Sequence, residues 1–319
     1  MVHGLLTMDC KPSTKTLIVI AGPTAVGKTA AAIQLANYYN TVIVSADSRQ
    51  FYREMSIGTA KPTEEDLAAA KHYFINSHSI TETFSAGDYE KECLELLDDL
   101  FKAHDKIILV GGSGLFIKAV CEGFDEFPDT KQSVRDKLNK EFDEKGITFL
   151  QEKLKIADPQ YYQQVDLNNP QRIIRALQVF ESTGKPFSSY RKSKTNKRPF
   201  KIIKLGLNLA RDVLYQRINH RVDIMVQQGL VDEVRSLLPY RHLNALNTVG
   251  YSELFDYFDE KTDRHSAIEL IKQNTRHFAK RQITWFKKDT EFKWLNIIDK
   301  SNLTNDMVAL ISSANDIPA

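Results

Sequence analysis

One octet limits the choice of fold more than any other feature: Gly22, Pro23, Thr24, Ala25, Val26, Gly27, Lys28 and Thr29. It matches G-x-x-x-x-G-K-[ST] and stands between a β-branched run at residues 16–20 and a helical pattern of Ala, Ile and Leu at residues 28–39. A strand before it and a helix after it are the context that gives this motif meaning. Glycines let backbone N–H groups turn toward a phosphate chain. The helix then presents its positive N-terminal end to the anion. Lys28 is placed to neutralise phosphate oxygens, and the Thr29 hydroxyl to help hold Mg²⁺.

The surrounding pattern extends this unit. Strand signals at residues 41–45 and 106–110 alternate with helical ones at 88–104 and 113–121. The helix at 88–104 gathers Cys93, Leu94, Leu97, Leu100 and Phe101 on one side. Such alternation predicts an α/β fold, a P-loop NTPase-like parallel sheet with flanking helices. Near Phe127-Pro128 the texture changes, and residues 129–184 carry helical patterns without a strand. Asn169-Pro170 signals a helix start, and Gly184 followed by Pro186 a stop. The chain thus reads as a core of residues 1–127 and 190–319 with an all-helical insertion domain at 128–189. Strand character returns at 202–209. Long helices follow at 212–228, closed by Gly229, and at 265–287.

Composition removes several classes of protein. Among 319 residues no apolar stretch approaches the ~18 that a membrane span needs. The first residues lack the basic and apolar regions of a secretory signal and read as a short flexible lead. Cys10, Cys93 and Cys121 are spaced as neither a disulfide framework nor a zinc site, and fit reduced thiols in a cytoplasmic protein. Net charge is +2, but Lys and Arg cluster at residues 190–204 and 276–288, as solvated faces or as nucleic-acid contacts.

The phosphate loop names a ligand class and not a reaction. Most such loops serve ATP or GTP. Here the run 106–110 ends in Gly111-Gly112, without the Asp that usually helps hold the metal, and no guanine-reading N-K-x-D is evident. A diphosphate leaving group suits the same cradle. Asp47 follows the strand at 41–45, where a parallel sheet gathers its ligands. It can accept a proton from an attacking amine, or it can cap a turn. Arg217 and Arg221 share a helix face, as a phosphate contact or as a solvated stripe.

At this point the chain resembles a known family. The blocks AGPTAVGKT at 21–29, SADSRQFY at 45–52, IGTAKP at 57–62, FSAGDY at 84–89 and VGGSGL at 110–115 are similar to those of the tRNA dimethylallyltransferases, the bacterial tRNA isopentenyltransferases. The similarity continues in the same order with NPQRIIRA at 169–176, ESTGK at 181–185, VGY at 249–251 and AKRQITW at 279–285. The resemblance implies transfer of a dimethylallyl group from dimethylallyl diphosphate to N6 of adenine 37 in tRNA, next to the anticodon, by a monomer that consumes no ATP. It implies that residues 22–29 hold the donor with Mg²⁺, and that Thr24 touches it near the reacting carbon. It implies Asp47 as general base, and Arg221, with Arg217 secondary, at the leaving diphosphate. Contacts with tRNA are implied for Asp47, Ser48, Arg49, Gln50, Ser113, Arg135, Gln171, Arg172, Ile173, Ile174 and Arg175. Adenine 37 would have to leave its stack to react.

The chain also departs from the pattern. Asn247 and Ser252 stand where relatives often carry Arg, Ser113 where Thr is common, and His277 where Gln is frequent. The first two weaken any assignment of RNA contacts around 249–251. Two rival readings compete: a small-molecule kinase on the same loop, and a non-catalytic RNA-binding module switched by a nucleotide. The first leaves the helical insert unexplained. The second leaves Asp47 without a role.

Overall fold

The computed structural model describes residues 15–125, 127–191, 196–297 and 301–315. Cys10, the N-terminal lead and residues 192–195 of the first basic run lie outside them. The chain divides into two compact units, the second being Gly123–Lys197 and the first the remainder.

The first unit opens with β1 (Thr16–Ala21), α1 (Lys28–Tyr39), β2 (Ile43–Ser45), α2 (Glu64–Ala69), β3 (His72–Tyr73), α3 (Ala86–Ala103), β4 (Lys106–Gly111) and α4 (Gly114–Glu122). All six residues of β1 are buried, so it is a central strand read as a continuous β-branched run. Helix α3 starts at a capping box between Ser85 and Asp88, and buries Tyr89, Cys93, Leu97 and Phe101 at helical spacing. Leu94 and Leu100, on the edge of that stripe, are only partly buried.

In the second unit α5 (Gln132–Ala157) is bent at Gly146, whose φ is 74°. It is followed by α6 (Pro159–Tyr162) and α7 (Pro170–Thr183). Asn169 caps α7 through its side chain, accepting from the Arg172 N–H at 3.2 Å, and Gly184 ends it in the left-handed region. Leu138, Leu150, Leu154, Ile173, Ile174 and Leu177 form a core belonging to this unit. Composition set the edges of the insert at 128 and 189; the compact unit spans Gly123–Lys197, because its flanks are non-periodic chain that leaves no mark in a hydrophobic pattern.

The first unit resumes with β5 (Lys201–Asn208), α8 (Arg211–Gln227), α9 (Leu230–Ser236), α10 (Ser252–Phe258), α11 (Arg264–Phe286), β6 (Lys293–Asn296) and α12 (Leu303–Asn315). The six strands form one parallel sheet in the order β3-β2-β4-β1-β5-β6. Apolar clusters cover both faces, one beneath α3 and α4 and the other beneath α1 and α12. Cys93 and Cys121 are buried there, and burial pushes both thiols up to about 12. Among the described residues no helix is long and apolar enough to cross a membrane.

Parts of the first basic run are consumed by structure. Lys204, 5% exposed, pairs with Asp289 at 2.7 Å and with Glu291 at 2.7 Å. Arg198 binds Glu90 and the carbonyls of Ala119 and Val120. The second run stays open, with Lys280, Arg281, Lys287 and Lys288 exposed on or just beyond α11.

Candidate active site

The loop between β1 and α1 bends around Gly22, φ 152°, whose absent Cβ would sit 2.6 Å from the Leu207 carbonyl oxygen. Any side chain there would drive the loop off β5. Gly27, at φ 109°, precedes α1 and leaves room for Arg217, whose Nη2 lies 3.6 Å from a constructed Cβ. Ala25 takes φ 63°, a costly conformation for a non-glycine residue and a common one at ligand-binding turns. Lys28 Nζ donates to Gly22 O at 3.0 Å and to Pro23 O at 2.8 Å. Burial, opposed by the Asp47 carboxylate and aided by the Arg221 guanidinium, lowers this amine to about 7. An anion placed beside it would restore its charge.

Two arginines of α8 frame the loop. Leu214, Ile218 and Val222 bury the core face of the helix, one turn apart. Arg217 donates to Val26 O at 3.2 Å. Arg221 donates to Thr24 Oγ1 at 3.2 Å and approaches Ala60 O at 3.5 Å. Burial lowers the Arg221 pKa against the pull of Asp47, so the cost of keeping this cation out of water is already carried by the fold.

Asp47 follows β2 and takes up the turn-capping role that the sequence allowed. Its Oδ1 accepts from the N–H groups of Arg49, at 2.9 Å, and Gln50, at 3.4 Å, closing the turn. No hydrogen bond to Oδ2 is seen among the described residues. The carboxylate lines two adjoining cavities. One, of about 370 Å³, is the phosphate-loop hollow with Gly27, Lys28, Thr29 and Gly112. The other, of about 580 Å³, has Val222, Leu230, Val249 and Ile271 among its walls. Thr24, Asp47, Thr59, Arg221 and Phe278 line both. Residues far apart in sequence thus meet at one threshold between a phosphate cradle and a partly apolar chamber.

Other expected residues fall into groups. Ser113 Oγ accepts from Ser48 N–H at 2.9 Å and lies 3.1 Å from Ser48 Oγ, so these two hydroxyls act as a pair at the chamber wall. Gln50 spends its amide on Thr59 O and Ala60 O. In the second unit, Arg135 donates to Gln171 Oε1 at 2.7 Å, Arg172 is exposed, and Arg175 binds Thr130 at 2.9 Å. Ile173 and Ile174 are both 0% exposed in the core of that unit. Helical spacing turns them away from the exposed face that carries Gln171 and Arg172.

Comparison with known proteins places this geometry. The family described as IPP transferase matches residues 50–289, more than half of the chain. The chain belongs to the IPP transferase family. A tRNA dimethylallyltransferase of Christiangramia forsetii is 51% identical over 92% of this chain and 97% of its own length. One of Flavobacterium johnsoniae is 48% identical over 94% and 99%. Among solved structures, the full-length tRNA isopentenylpyrophosphate transferase of Bacillus halodurans is 34% identical, with a TM-score of 0.69, covering 94% of this chain and 96% of that one. A eukaryotic dimethylallyltransferase acting on tRNA is 27% identical with a TM-score of 0.76, covering 95% and 79%. The P-loop-like parallel sheet is therefore the IPP transferase fold.

Two further side chains support the site. Gln282 of α11 accepts from Thr24 N–H at 2.8 Å and donates to Gly112 O at 2.9 Å, bolting the phosphate loop to the end of β4. It is a single amide in the buried stripe of α11 that also holds Ala279 and Phe286, and that misfit was the available signal. Glu233 of α9 accepts from Ser56 N–H at 3.0 Å, Ile57 N–H at 2.7 Å, Gly58 N–H at 3.0 Å and the Tyr251 hydroxyl at 2.7 Å. It clamps the loop whose Thr59 and Ala60 carbonyls hold Gln50 and Arg221. The three N–H groups that it holds lie 175 to 177 residues away in sequence, and no local pattern marks it.

Proposed function

We propose that this protein transfers the dimethylallyl group of dimethylallyl diphosphate to N6 of adenine 37 in tRNA, beside the anticodon, giving N6-isopentenyladenosine and diphosphate. The observation that carries this reading is the shared threshold: Asp47, Thr24 and Arg221 line both the phosphate-loop hollow and the partly apolar chamber. The diphosphate occupies the first, against the loop N–H groups, Lys28 and Arg217. The allyl tail and an extruded adenine share the second. N6 attacks C1 of the tail, the C1–O bond breaks, and its electron pair leaves with the diphosphate. Asp47 takes the N6 proton on the oxygen that the turn does not use. Arg221 and Thr24 meet the oxygens where negative charge grows.

The donor set fits Mg²⁺. That ion keeps several waters and needs few protein oxygens besides phosphate. Thr29, at the start of α1, would supply a hydroxyl, with phosphate oxygens and water as the remaining ligands. When bound, the ion would offset leaving-group charge. In the second unit Arg172 and Arg135 offer cations and Gln171 an amide for RNA.

A small-molecule kinase on the same loop would leave the helical second unit without a role. Incubation with radiolabelled dimethylallyl diphosphate and an anticodon stem-loop containing A36-A37-A38 tests the reading. Label on the RNA, lost when A37 is replaced by G, is the expected result. An unlabelled RNA, or label transferred from ATP instead, defeats it.

A further inference from the structure

Arg221 and Met225 stand one turn apart on α8. Both line the chamber described above, and both also line a separate hollow of about 340 Å³. No other described residue lines both. The hollow is largely apolar, with Ile57, Ala60, Pro62 and Ile224 in its wall. Arg221 is fixed by Thr24 Oγ1 and Ala60 O. Met225 has no polar tether, and its unbranched thioether can fill or vacate space with little backbone change. On the chamber side it neighbours Val222, 2% exposed, and Leu230, 0% exposed, as part of the apolar lining.

We propose that Met225 is the partition that sets the donor's chain length: it closes the chamber behind a five-carbon tail, and shortening it joins the chamber to the hollow beside Ile57 and Ile224, which then receives the second isoprene unit of a ten-carbon allylic diphosphate. This inference rests on the prenyl-transfer reading. At about 30 Å³ for each water-sized unit, a hollow of 340 Å³ has room for five more carbons. The chemistry is unchanged in balance. N6 forms its bond to C1 of the longer donor, the C1–O bond breaks, diphosphate carries off the electron pair, and Asp47 takes the proton. What differs is only the fit of the tail, and misfit by a methylene in an apolar pocket changes kcat/KM by roughly 10- to 200-fold.

The test compares kcat/KM for dimethylallyl and geranyl diphosphate, with one anticodon stem-loop, in the wild-type protein, Met225→Ala and Ile224→Ala. Wild type is expected to use the five-carbon donor and reject the ten-carbon one. Met225→Ala is expected to raise the ten-to-five ratio by ~10-fold or more. Ile224→Ala, which alters the hollow alone, should leave the ratio within about twofold, since the partition remains. An unchanged ratio in a Met225→Ala protein that still transfers five carbons overturns the proposal. Should that variant not fold, Met225→Val carries the same comparison, with a smaller rise expected and an unchanged ratio equally fatal. Failure of the wild type to transfer five carbons strikes the reaction assignment instead, so the two failures are told apart.

Discussion

Lys28 shows how one residue can be legible in type and hidden in state. The motif announces a phosphate-binding Lys; only the fold reveals that its amine, packed against the Gly22 and Pro23 carbonyls, lies at about 7. On the proposed reading, a bound diphosphate would hold charged an amine that burial has lowered to about 7. Binding above about pH 7 should then take up a proton, and donor affinity should fall as pH rises through that region. Calorimetry at about pH 8 in two buffers of different ionisation enthalpy should register this uptake in the wild type. It should vanish in Lys28→Arg, whose guanidinium stays charged; equal uptake in both would remove Lys28 as its source. Asp47 is the opposite case. Its place after a strand was readable, but which of its oxygens the turn takes was not, because the turn that occupies Oδ1 depends on how residues 48–50 fold back.

Among elements, long helices were readable because burial imprints a period on them, and central strands because burial on both faces makes them continuous apolar runs. The expected start and end of α1 coincide with Lys28–Tyr39. β3, of two residues, and β6, of four partly exposed ones, are too short to show a period and escaped. Loops that depend on distant partners escaped too, and the clamp of Glu233 on residues 56–58 is the main instance. Hydrogen bonds to a charged group contribute about 1.5–3 kcal/mol. Glu233→Gln should therefore lower thermal stability and also lower kcat, since the loop carries the Ala60 carbonyl that meets Arg221. A double-mutant cycle with Arg221→Ala separates the two effects. In the Arg221→Ala background, Glu233→Gln should add little further loss of kcat while still lowering the melting temperature. Fully additive losses in kcat would mean that the clamp acts elsewhere.

At the scale of the whole molecule, the division into an α/β unit and a helical unit was visible in the change of texture near residue 128, but the edges at 123 and 197 were not. In the helical unit the resemblance implied a contiguous RNA-binding run, 171–175. The fold splits it by helical phase into exposed Gln171 and Arg172 and buried Ile173 and Ile174. Arg172→Ala should weaken RNA binding and reduce the slope of log affinity against log salt by about one, the signature of one lost phosphate contact. Ile174→Ala should instead cost about 2–5 kcal/mol of stability in this unit, seen as a lowered melting transition. A salt slope unchanged by Arg172→Ala would place that residue outside the interface.

The proposed transfer requires Asp47 and the phosphate cradle to act on one bound pair of substrates. The most direct measurement is single-turnover transfer of labelled dimethylallyl to an anticodon stem-loop by wild-type protein and by Asp47→Asn. The amide keeps an oxygen for the Arg49 and Gln50 N–H groups, so the turn survives while the base is lost. Donor and RNA affinities should stay near those of the wild type, and the rate of transfer should fall by ~10²-fold or more. Transfer by Asp47→Asn at the wild-type rate would contradict the account.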